Sequence, residues 1–162
     1  SMATKDGNPA KSFTKDEILK KFLSTQHERA LQYNSMEEAF RDYRKNPDMS
    51  RYNFALSRVT AQFVRLSEKV KKYCGILNGL GCTDEANLLT ELQALEKKKL
   101  ELSSKLQVLR LKAHSLEGNP ELDSGYEFPV VREQIRQETI ELEAVIEDIN
   151  AIITDIRYSG SS

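Results

Sequence analysis

The chain has no tryptophan, only two cysteines, and few of the residues that break helices: four prolines and seven glycines in 162 positions. Cys74 and Cys82, with seven residues between them, match neither a disulfide framework nor the C-x-x-C spacing of a zinc site, so they read as reduced intracellular thiols. No apolar run approaches the roughly 18 residues that a membrane-spanning helix needs, and the N-terminus lacks the charged-then-apolar order of a signal peptide. The sequence therefore reads as soluble and intracellular, with no membrane partner. An excess of one charge is missing too. With 24 basic and 25 acidic residues the net charge is −1, so any electrostatic site must be a local patch rather than a property of the whole chain.

Recognisable catalytic chemistry is also lacking. His27 and His114 are the only histidines, and neither stands in a Glu-x-x-His or His-x-x-x-His pattern that would hold a metal in a helical bundle. There is no glycine loop to cradle a phosphate and no nucleophile beside a histidine in a known motif. The abundant carboxylates follow hydrophilic helix faces rather than converging as an acid/base pair. The expectation is a protein that is not an enzyme, with no catalytic residue, no metal and no cofactor.

What the sequence does contain is long apolar seams at alternating four- and three-residue spacing. One runs Tyr52, Leu56, Val59, Phe63, Leu66, Val70, Tyr73, Leu77, Leu80. A second runs Leu88, Leu92, Leu95, Lys99, Leu102, Leu106, Leu109, Ala113, Leu116, and a third Val131, Ile135, Glu138, Leu142, Val145, Ile149, Ile152, Ile156. A mean spacing of about 3.5 residues keeps one seam against a partner helix over many turns. Lys99 and Glu138 are the polar lapses, and such positions set register or partner number at some cost in stability.

The punctuation divides the chain into four helices. Thr14 with Glu17 forms a capping box, and Phe13 can staple onto Ile18. This first helix is read as continuous to about residue 45, although Ser35 and Glu38 offer a second capping box near Asn34. Its inward face, Phe22, Gln26, Arg29, Tyr33, Met36, Phe40 and Tyr43, is broken by two polar residues. Asn46-Pro47-Asp48 makes a turn, Gly79-Leu80-Gly81 ends the second helix, and Thr83 starts the third, which stops at Gly118-Asn119-Pro120. Residues 121–128 read as a loop, and Pro129 suits the first turn of a fourth helix to about Tyr158. The fold class is all-α: an elongated antiparallel helical bundle or coiled coil of about four long helices, as one domain over 13–158. Residues 1–12 read as a polar, disordered segment in which Ser1 before Met2 is a cloning scar, and 159–162 as a tail.

Charge is unevenly shared among these helices. Residues 51–80 hold six basic side chains and one acidic, whereas 118–158 hold three basic and ten acidic. Arg51, Arg58, Arg65 and Lys72 recur every seven residues and, with Lys69, form a basic stripe on helix two. Helix four carries an acidic stripe of Glu141, Asp148 and Asp155. Either the stripes meet as interhelical ion pairs or solvate opposite faces, or the basic one is a track for phosphates or an acidic partner. The Lys97-Lys98-Lys99 cluster reads as a solvated face, because a helix turns those side chains in different directions.

Three elements carry a family resemblance: Leu23-x-x-Gln26-x-Glu28-Arg29-x-x-x-Tyr33; Tyr52-x-Phe54 with Val59-Thr60-x-x-Phe63-x-x-x-Ser67; and Leu89-x-x-Leu92-Gln93-x-Leu95-Glu96-x-x-Lys99-Leu100-Glu101-Leu102. Together they resemble the required-for-excision type B (Rex-one-B) DNA-repair family over about residues 15–113. Ser103 stands where the pattern has threonine, and the acidic helix at about 129–158 lies outside the resemblance. The resemblance implies a non-enzymatic accessory role in nucleotide excision repair, a nuclear location and repair factors as protein partners; it supplies no catalytic residues. Within it, Gln26, Glu28 and Arg29 form either a polar network fixing helix one against helix two or a partner groove. Two alternatives stand beside this reading: direct binding of nucleic acid by the helix-two stripe, and a coiled-coil scaffold of cytoskeletal or trafficking machinery. Self-association is compatible with every seam.

Overall fold

The computed structural model describes residues 12–119, 121 and 125–160. Four helices follow in order: α1 (Lys15–Lys45), α2 (Met49–Gly79), α3 (Thr83–Gly118) and α4 (Glu127–Gly160), with no strand among the described residues. The chain is thus all-α. It forms two compact units, Ser1–Thr90 with Asp155–Ser162, and Glu91–Thr154, so that α3 and α4 contribute to both.

The helix ends follow from their caps. The Thr14 hydroxyl accepts the Glu17 amide N–H at 3.1 Å and donates to the Glu17 carboxylate at 3.3 Å, satisfying one of the donors a helix start leaves free. Asp48 caps α2 in the same way, its carboxylate accepting the Arg51 amide N–H at 3.2 Å. At the other end of α2, Cys82 donates its N–H to the Leu77 carbonyl at 2.8 Å and Gly81 to that of Asn78 at 3.0 Å. This pairing requires a left-handed residue between them, and Gly81 supplies it at φ 77°. α1 runs unbroken through Asn34: Ser35 turns its hydroxyl back to the Leu31 carbonyl at 3.2 Å instead of opening a new helix. α4 begins at Glu127, two residues ahead of Pro129, which sits in the first turn where a missing N–H costs nothing. The loop expected over 121–128 lies partly outside the described residues, as do residues 1–11 of the expected disordered segment and residues 161–162 of the expected tail; Ser159 and Gly160 belong to α4.

In the first unit, α1 and α2 pack as antiparallel neighbours around Ile18, Phe22, Met36, Phe40, Tyr52, Val59, Phe63, Leu66 and Val70, all buried. Of the α2 seam, Tyr52, Val59, Phe63, Leu66, Val70 and Leu77 are buried and Leu56 and Tyr73 half-buried, while Leu80, at the helix end, stays 44% exposed. The start of α3 joins this unit through buried Ala86 and Leu89, with Lys15 paired to Glu85 at 3.7 Å, and the end of α4 through Ile156. Near its start α3 turns Leu89 rather than Leu88 fully inward, and Glu96 rather than Leu95 or Lys99. Leucines at both 88 and 89 let either phase bury an apolar side chain, so the sequence pattern alone did not fix the rotation.

In the second unit, Leu102, Leu106, Leu116, Val131, Val145, Ile149 and Ile152 are buried. Lys98, Lys105 and Lys112 of α3 reach Glu141, Glu138 and Glu127 of α4 at 3.1, 2.7 and 3.0 Å, which sets an antiparallel register. The three lysines recur every seven residues. Strict heptad register would give Lys105 the side chain of Gln134; it takes Glu138, one turn further along.

Candidate functional site

Gln26, Glu28 and Arg29 occupy the middle of α1, where its apolar face is interrupted. Arg29 is 2% exposed and donates from Nη1 to the Gln26 Oε1 at 2.6 Å. That short, charge-assisted bond lets a guanidinium remain inside a helix interface. Thr25 beside them is buried, its hydroxyl donating to the Lys21 carbonyl at 3.1 Å. Two aromatic pairs extend the contact: Tyr33 with Phe63, ring centroids 4.8 Å apart, and Tyr43 with Tyr52, 5.5 Å apart, both tilted. Burial of Tyr52, reinforced by the Glu37 carboxylate and by Tyr43, holds its phenol pKa above the usual 10.0.

Glu28 lies at the rim and accepts from Arg65 Nη2 at 2.9 Å, while Arg65 Nε donates to the Gln62 amide oxygen at 2.9 Å. The polar segment of α1 and the basic stripe of α2 therefore meet at this point. The remaining stripe members, Arg51, Arg58, Lys69 and Lys72, lie along the same helix, with Arg51, Arg58 and Lys72 exposed and Lys69 half-buried. Arg51 also lines a small cleft at the α1–α2 turn with Asp42, Tyr43, Lys45, Asn46 and Tyr52. One residue that the sequence reading named only within the family resemblance, and not as part of the stripe, lies on this face: Phe54, 66% exposed. Its position three residues after Arg51 and four before Arg58 was the available signal.

The acidic stripe of α4 does not act as one unit. Glu141 pairs with Lys98, a member of the lysine cluster read as solvated, whereas Asp148 and Asp155 are exposed. Glu138, the polar lapse of its seam, is paired through Oε1 to Lys105, and its Oε2 is buried without a hydrogen bond among the described residues. That bond and the charge of Glu138 hold the exposed Lys105 ammonium above the usual pKa of 10.5. On the α4 surface, Arg136 binds Glu133 through both carboxylate oxygens at 2.6 and 2.9 Å, lowering the Glu133 pKa. His27 and His114 are exposed, both cysteines are free, and no cluster of three or more His, Cys, Asp or Glu side chains able to hold a metal occurs among the described residues. None of the helices is long and apolar enough to cross a membrane, among the described residues.

These features define a class: an all-α protein whose distinguishing chemistry lies on helix faces, with a buried Arg29–Gln26 bond within α1, a rim ion pair from Glu28 to Arg65 and a basic face on α2. The family model described as DNA repair REX1-B matches residues 17–110, spanning α1, α2 and most of α3, and the chain belongs to that family. Neither the curated proteins nor the solved structures contain a match to the chain. The family assigns it to DNA repair.

Proposed function

We propose that this chain is a non-enzymatic accessory factor of nucleotide excision repair that works in the nucleus by joining repair proteins through its helix faces. The observation that carries the reading is the family match over residues 17–110. The mode of action is supported by where chemistry lies: a rim ion pair, Glu28 with Arg65, links α1 to α2, and the outward faces carry separated charge and exposed apolar side chains. Val130 and Ile140 of α4, outside the matched region, are 56% and 54% exposed and with Asp148 supply an apolar and acidic surface for contact.

The test is removal of ultraviolet photoproducts in cells lacking the chain. Removal is expected to slow and to recover with the wild-type chain. Unchanged removal kinetics contradict a role in excision repair. A purified chain that itself cuts lesion-bearing DNA contradicts the non-enzymatic part.

A further inference from the structure

We infer that the outer face of α2 binds single-stranded DNA, with Phe54 as a stacking platform and the surrounding arginines and lysines as phosphate contacts. At 100° per residue, Arg51, Phe54, Arg58, Ala61, Arg65, Lys69 and Lys72 fall within an arc of about 80°, along about 32 Å of helix axis. Five of these seven are cationic. Arg65 is engaged with Glu28 at 2.9 Å, and the acid at the edge of the face, Glu68, is neutralised by Lys71 at 3.1 Å. Arg51, Arg58 and Lys72 project as exposed side chains, Lys69 half-buried beside them.

Phe54 separates this face from a plain solvated charge stripe. It is a large aromatic, 66% exposed, bracketed by arginines about 4.5 Å before it and about 6 Å after it along the axis. An acidic protein segment or a duplex presents charge to such a face, but offers the ring no unstacked base. A single strand offers both: its phosphates match the cations, and an unstacked base covers the ring regardless of its identity. The assignment of the chain to a DNA-repair family favours nucleic acid over an acidic peptide as the occupant. The N-terminal end of the track opens on the cleft where Lys45 and Asn46 stand with Arg51 and one carboxylate, Asp42, so that cationic and amide donors outnumber the single acid there. The inference concerns a surface separate from the α4 face, and it stands independently of the protein-joining role.

The experiment is a fluorescence-anisotropy titration of the full purified chain with a labelled oligothymidine, a duplex of equal length and an acidic peptide of equal charge. Each is measured at 50 mM and 200 mM salt. Single-strand affinity is expected to exceed duplex and peptide affinity, with a log–log salt slope of about −3 if four cations engage, at about −0.7 per contact. Phe54→Ala weakens single-strand binding by roughly 5- to 150-fold and leaves the salt slope unchanged, whereas Phe54→Tyr retains binding. The Arg58→Glu/Lys72→Glu variant flattens the slope by about 1.4. Circular dichroism accompanies each variant; because these side chains are exposed, helix content is expected to be unchanged. Absence of single-strand binding at 50 mM salt overturns the inference. So does equal or tighter binding of the duplex or the peptide, or an affinity that Phe54→Ala does not change.

Discussion

The α1–α2 pair and the α3–α4 stretch within Glu91–Thr154 are both antiparallel helix pairs, but they place their polar side chains differently. In the α1–α2 pair a polar bond is placed inward: a guanidinium 2% exposed is bonded to Gln26 of its own helix, with two tilted aromatic pairs further along α1 towards its C-terminus. Between α3 and α4 three lysine–glutamate pairs lie at the perimeter, their lysine side chains 51%, 60% and 51% exposed. An interior bond to a charge is worth about 1.5–3 kcal/mol because its loss strands that charge, whereas a surface ion pair is worth at most about 1 kcal/mol. Polar residues in a helix seam therefore carry different energetic weight in the two places.

The largest test removes the interior partner. Gln26→Leu is expected to cost about 2 kcal/mol in urea denaturation, because Arg29 stays buried with one acceptor fewer. The double change Gln26→Leu/Arg29→Leu is expected to recover most of that loss, since the charge leaves with its acceptor. A single change without effect would erase the distinction between the two regions. The second test works in the opposite direction. Glu138→Leu, which replaces a largely buried carboxylate having one oxygen without a hydrogen bond, is expected to raise stability by about 1 kcal/mol. A lowered melting temperature would make Glu138 part of a satisfied interior like that of α1. Smaller still, Lys98→Ala and Lys112→Ala each are expected to cost less than about 1 kcal/mol, and to cost nothing measurable at 1 M salt.

Alkaline pH sharpens the comparison without mutating the cross-links. Tyr52 in α2 and Lys105 in α3 both hold their protons more tightly when folded, the first mainly by burial and the second through Glu138. Folded-state pKa values above the ordinary 10.0 and 10.5 mean that the folded chain binds more protons in that range. Stability is then level below about pH 10 and falls as pH rises through the two folded values. Tyr52→Phe is expected to remove the first component and leave the second, giving a shallower decline in melting temperature.

Much of this fold was legible because its signals are local. Thr14, Asp48, Gly81 and Pro129 mark helix ends through bonds spanning only a few residues, and unbroken heptads predict long helices wherever they occur. Burial of the Val59–Phe63–Leu66–Val70 seam followed directly from its period. The rotation of α3 near Leu88 and Leu89 was not legible, since apolar residues occupy both adjacent phases. Partners of charged residues were hidden for a related reason: Glu28 and Arg65 lie 37 positions apart and Lys105 and Glu138 lie 33 apart. Only the three-dimensional register brings such residues together, so the sequence left open whether Arg65 pairs with the acidic stripe, is solvated or serves a partner, and read Lys98 as solvated. Phe54 was named only as a motif residue and not as part of the basic face, because an exposed aromatic contributes to no periodic pattern.

Hydrogen exchange of the full chain at 50 mM and 1 M sodium chloride compares the two regions directly. The account predicts that amides of α1 and α2 from 22 to 36 and from 59 to 70 keep their protection, while those of 98–112 and 127–141 exchange faster as the lysine–glutamate pairs are screened. Equal loss of protection in both regions, or loss confined to α1 and α2, would contradict it.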